Sequence, residues 1–213
     1  MKQCCVLLAL LAFICAAVYG QAEEGASQSA AFQFDHDQLL ARLATLKPFK
    51  PDHGESEAGY AFVVTREDFQ SSLIFLSEGK IDEVMDDFIH AVAFSFNANT
   101  QFLMLTQWKD QEAAQDFMQI EDTSWRLKDE KYEQYIVKVE YSEIEVAKDE
   151  KALLTRKTLK QAGQKQDVTI VVSARKEYLF ECTLMGTYQN DEVKKLVSHI
   201  WKIIESEAKK QTR

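Results

Sequence analysis

Catalysis and metal binding draw on few kinds of side chain, and this sequence places them sparsely. One cysteine, Cys182, lies in VVSARKEYLFECTLMG, residues 171–186. Alternation along that stretch puts Tyr178, Phe180, Cys182 and Leu184 on one side, with Leu179, Glu181, Thr183 and Met185 on the other. A thiol in an aromatic and aliphatic row is held protonated, and no histidine adjoins it in sequence to take the proton. Cys182 therefore reads as a packing group rather than a nucleophile.

The four histidines, His36, His53, His90 and His199, include no i, i+4 pair, and the chain has neither HExxH nor CxxC. No metal site is expected. Asp35 and Asp37 beside His36 read instead as helix caps, and His90 falls one helical turn after Asp86. No serine sits in a GxSxG or SxxK element, so no catalytic residue is assigned. With 7 glycines and no phosphate-binding loop, no cofactor is expected either. The 34 acids leave one chemistry open, because a working carboxylate pair is defined by distance in space. Runs such as Asp86-Asp87 and Glu143/Glu145 read as solvated faces.

Aromatic side chains are the remaining candidates for binding. Trp125 and Tyr132 lie in DTSWRLKDEKYEQ, a polar stretch that neither strand nor helix packing explains well. Together with Trp108 they are the expected ligand- or partner-binding residues.

The elements that must position these groups follow from periodicity. Leu39, Leu40, Leu43 and Leu46 mark a short helix capped by Asp35 or Asp37, and the prolines of 47–59 end it. Tyr60, Phe62 and Val64 alternate as a strand. Residues 69–77 are ambiguous: Thr65 with Asp68 can open a helix, yet a match of 60–96 onto 168–205 favours a second strand. Met85, Ile89, Val92 and Phe96 predict a helix over about 82–96. Residues 101–108 read as a central strand, Ala113 to Met118 as a short helix, and 135–141 as a half-wet strand, with 152–160 a weaker strand candidate. Residues 167–174 and 177–185 form a hairpin, and Asn190 to about Ser206 a final helix burying Val193, Val197, Ile200 and Ile204. The fold class is α+β: a mainly antiparallel sheet with amphipathic helices on one face, and a suggested strand-strand-helix duplication.

Residues 1–20 have the layout of a secretory signal peptide: Lys2, an apolar core from Val6 to Val18, and a small-residue exit. Cleavage is expected after Gly20 or, second, after Ala22. Lipidation at Cys15 is the rival, disfavoured by Ile14 before it. Of 213 residues, 193 then remain, with Cys182 the only cysteine and no internal disulfide. Residues 21–33 read as a polar tail and 34–208 as the folded unit, with halves near 34–108 and 109–208. The expected location is secreted or periplasmic.

The net charge of −9, with no basic block, argues against nucleic acid and anionic membrane surfaces as partners, and no membrane segment is expected after cleavage. The leading expectation is an exported, non-catalytic binding or interaction module. A carrier of a small apolar ligand between sheet and helices, using Phe62, Phe88, Phe102 or Trp108, is the second. An enzyme with a spatially assembled carboxylate pair is the third. The expected partner is thus an unidentified protein or a small apolar ligand.

Overall fold

A computed structural model describes residues 34–50, 59–73, 76–97, 100–161 and 163–211. The signal segment, the polar tail and His53 lie outside the described residues. Among the described residues, five helices and a 3-10 turn accompany seven strands: α1 (His36–Leu43), β1 (Tyr60–Val64), α2 (Arg66–Ser72), α3 (Glu78–Asp87), β2 (Phe88–Phe96), β3 (Gln101–Trp108), α4 (Gln111–Lys131), the 3-10 turn Glu133–Tyr135, β4 (Ile136–Ala147), β5 (Glu150–Gln161), β6 (Gln164–Arg175), β7 (Tyr178–Met185) and α5 (Asn190–Gln211). Among the described residues no helix is long and apolar enough to cross a membrane.

The strands form one antiparallel sheet in the order β1-β2-β3-β7-β6-β5-β4. The chain builds three strands inward from one edge, then crosses with α4 to the far edge. From there it returns by hairpins until β7 closes against β3, with Leu103 opposite Cys182 and Met104 opposite Glu181. The sheet therefore runs without a break through both suggested halves.

The α+β class and the antiparallel sheet are as the sequence implied, but the helices cover both faces rather than one. On one side, α1 and α5 pack on Val92, Leu105, Phe180 and Cys182. On the other, α2, α3 and α4 pack on Ala93, Met104, Ile170 and Leu179. Period-two alternation in central strands that are apolar on both faces accounts for both cores. Trp201 of α5 sits against Phe180 with ring centroids 5.0 Å apart and donates its indole N–H to Ser173 at 3.0 Å.

Three segments depart from the sequence reading: the short helix expected over Ala113 to Met118 runs on to Lys131 as α4, and two others change kind. Residues 66–72 are helical, because Thr65 accepts from the Asp68 amide at 3.1 Å and donates to its carboxylate at 2.8 Å. The local cap outweighs the proposed internal match. The helix expected over 82–96 stops at Asp87, and Phe88–Phe96 is a strand. A run apolar on every side satisfies a 3.6-residue period as easily as a two-residue one, and here pairing with β1 and β3 decides. The two matched stretches thus differ in kind: strand-helix-helix-strand against strand-strand-helix, with His90 on a strand and His199 on a helix. Gly59 opens β1 at φ +115°, where a Cβ would lie 2.1 Å from the Ser95 carbonyl oxygen, so the start of that edge strand requires glycine.

Candidate functional site

Trp108 and Trp125 are carried at opposite ends of the ground covered by α4. Trp108 is fully buried, stacked on Phe117 with centroids 4.3 Å apart, and its N–H donates to Thr106 at 2.8 Å. It is a core side chain and offers no surface to a ligand. Of the residues expected to line a carrier cavity, Phe88 is buried in this core, while Phe62 and Phe102 are only partly buried against it. Phe88 stacks on Phe69 at 4.2 Å, and Phe62 and Phe102 pack against the same core, 6.5 Å apart.

Trp125 stands in a cluster of ionisable groups between α4 and the sheet. α4 begins with an Asp110 cap accepting from the Ala113 amide at 2.9 Å, and its early inward face is hydrocarbon: Ala114, Phe117, Met118. Further along, that face turns polar, with Glu121, Ser124 and Asp129 buried. Glu121 is 6% exposed, and Glu181, which faces it from the centre of the sheet between Met104 and Val172, is 3% exposed. The Trp125 N–H donates to Glu181 at 3.4 Å. Lys157 of β5 and Lys128 of α4 lie 4.2 and 4.6 Å from the Trp125 ring centroid. Asp129 accepts from Lys157 at 2.5 Å and from the Tyr141 hydroxyl at 2.5 Å.

Burial governs the protonation of these groups. It pushes the Glu121 carboxyl up to about 7, helped by the charge of Glu181 and opposed by Lys128. Glu181 is raised by burial against the pull of Lys128, the Trp125 hydrogen bond and Lys157. Burial lowers the Lys157 ammonium against the attraction of Asp129. The Tyr141 hydroxyl is raised by burial and by its bond to Asp129. An assembled carboxylate pair therefore exists, but within a closed interior.

Cys182 is fully buried on the opposite face, where burial holds its thiol well above the ordinary range. His36 and His90 are brought together with near-parallel rings, centroids 6.4 Å apart. Desolvation holds both toward the neutral form, His90 down to about 4. Among the described residues no group of three or more His, Cys, Asp or Glu is placed to hold a metal ion. A groove of about 210 Å³ lies between the β6–β7 turn and α5, lined in part by Arg175, Tyr178, Trp201, Ile204 and Glu205. It is smaller than sites that engulf a drug-sized ligand, and Arg175 already bridges it with ion pairs to Glu150 and Glu205.

Tyr132 is the C-cap of α4, half-buried, with Lys131 5.8 Å from its ring centroid. The surface around it carries apolar groups that sequence reasoning did not single out as a set. Leu127, Tyr135 and Val137 are 39%, 40% and 47% exposed, where α4 ends, turns and enters the terminal strand β4. A free sheet edge has unpaired backbone groups along one side. Glu121 and Glu181 were also missed as a pair. The available signal was a lone acid, Glu181, in the middle of an apolar strand, and polar residues recurring on the inward face of α4. Neither a protein-family model nor a curated protein matches this sequence.

Proposed function

We propose that this chain is an exported, non-catalytic interaction module that binds a protein partner at the corner where α4 runs into β4. One observation carries the reading: three large apolar side chains, Leu127, Tyr135 and Val137, stand exposed within eleven residues beside the outer edge of β4, which no other described strand pairs. Exposed apolar groups gathered in this way mark contact surfaces more often than scattered ones do. An extended segment of a partner can add to β4 through main-chain hydrogen bonds while its side chains meet these three. The filled interior on both sheet faces supports the same reading over a carrier, because the aromatic rings occupy the space a ligand would need.

Replacing Leu127, Tyr135 and Val137 together by serine tests the proposal. Each residue is 39–47% exposed and keeps part of its apolar surface against the fold, so each substitution should cost about 1 kcal/mol and leave the chain folded. Retention of a protein partner by the mature chain, followed by native mass spectrometry after purification from its own source, should be lost. Undiminished retention in the triple variant would remove the corner from consideration.

The Glu121–Glu181 pair favours a second reading, acid–base catalysis, since mutual influence and burial are what split the roles of two catalytic carboxyls. Access opposes it, since Glu121 on the inward face of α4 and Glu181 on the sheet beneath are both buried.

A further inference from the structure

α4 is seated in two physically different ways. Its first half is held by hydrocarbon, with Phe117 buried against Trp108. Its second half is held by ionisable groups, and every element packed there contributes. α4 supplies Glu121, Lys128 and Asp129, β7 supplies Glu181, β5 supplies Lys157, and β4 supplies Tyr141. β3 and β6 bring apolar Met104 and Val172 alongside Glu181. Three carboxylates thus stand against two ammonium groups, and Lys157 is engaged by Asp129. One oxygen of Glu121, Oε2, is buried with no hydrogen-bond partner among the described residues. A carboxylate oxygen in that position is costly as an ion and tolerable as an acid. Two carboxyls that feel each other can satisfy both conditions by holding one proton between them.

We propose that Glu121 and Glu181 are a proton-operated latch on α4: one proton on the pair lets the second half of the helix lie on the sheet, and its loss lets residues 121–131 open outward with Trp125 and Leu127. The raised affinity of Glu121 for its proton, to about 7, fits this arrangement. In the open helix the carboxyl meets water and returns toward the ordinary range, so the closed form binds the proton more tightly. Opening must then increase as pH rises through the interval between about 4.5 and about 7, and level off above it. The inference rests on the partner-binding reading only for its purpose: the opening half belongs to the proposed contact corner, so the latch would set how that corner is presented.

Amide hydrogen exchange on the full mature chain, corrected for intrinsic chemical rates, tests the latch. Between pH 5 and pH 8 protection over residues 121–131 should fall by about fiftyfold in the wild type, as linkage requires for a proton bound over that interval. In Glu121→Gln, which removes the titrating group, the fall should shrink to about threefold or less. In Glu181→Gln it should shrink by a smaller factor, because burial, the larger cause, still acts on Glu121, while amides of β6 and β7 keep their protection throughout. A flat wild-type profile, or an equally steep profile in both variants, overturns the latch. No partner enters this readout, so the latch can fail while the corner still binds, and the serine variants can fail while the exchange profile stands.

Discussion

Glu121→Gln should make the protein more stable at pH 8 and leave it unchanged at pH 4. Gln keeps the shape of the side chain and removes its charge. The Glu121 carboxyl is raised from 4.5 to about 7 in the folded chain, with burial the larger cause and Glu181 the second. Below about pH 4.5 the carboxyl is protonated whether or not the chain is folded, and the substitution is neutral. Between about 4.5 and 7 the folded state holds a proton that the unfolded state has released, so wild-type stability drains away as pH rises. Above about 7 the loss is complete. At 1.36 kcal/mol for each unit of pKa, the shift corresponds to about 3 kcal/mol. Glu181 keeps some of its own penalty in the variant, so a gain of about 2–3 kcal/mol is expected at pH 8, or roughly 5–10 °C in melting temperature for a domain of this size. Urea unfolding at pH 4, 6, 7 and 8, followed by far-ultraviolet circular dichroism, measures it, with an unchanged m-value as the check that both chains unfold alike. A variant less stable than wild type at pH 8, or a difference that does not vary with pH, would refute the reasoning.

Three further outcomes are expected. His90 is half-buried beside His36 and held down to about 4, so its neutral form contributes stability that is present above pH 6.5 and lost as pH falls toward 4. Its partial exposure reduces the effect to about 1 kcal/mol, and His90→Gln should flatten that acid limb of the unfolding profile. Lys157→Ala strands the buried Asp129 carboxylate and should cost about 3–5 kcal/mol by chemical denaturation, with Asp129→Asn in the same chain recovering much of it. Cys182 should react with a thiol reagent only after denaturant is added, and rapid labelling of the folded protein would place its sulfur at the surface instead.

The pattern of the chain made the fold legible wherever one face differed from the other. The β6–β7 hairpin, the apolar stripe of α5 and the inward direction of Cys182 could all be read from alternation or helical spacing, because water and core impose opposite demands on neighbouring residues. Phe88–Phe96 could not be read in that way. Its residues are apolar all round, so the helical and extended templates fit equally, and only the strands on either side select one. The second half of α4 was obscured for the opposite reason. Its inward face carries Glu121, Ser124 and Asp129, which look like solvent-facing residues until Lys157 and Tyr141 are brought to them from strands that follow later in the chain. Of the aromatics singled out in advance, Trp125 proved to belong to this buried polar cluster and Tyr132 to the end of its helix, while Trp108 is core. The pairing of Glu121 with Glu181 joins groups sixty residues apart in sequence, and no local pattern encodes such a meeting.

The proposed contact corner can be tested most directly by placing a photoreactive residue at position 135, with a control at Val63 on the opposite edge strand, 48% exposed, and irradiating the protein in its own source. A covalent adduct with a partner protein at position 135 and none at position 63 is the predicted result. Adducts confined to position 63, or absent from both positions, would contradict a partner-binding corner between α4 and β4.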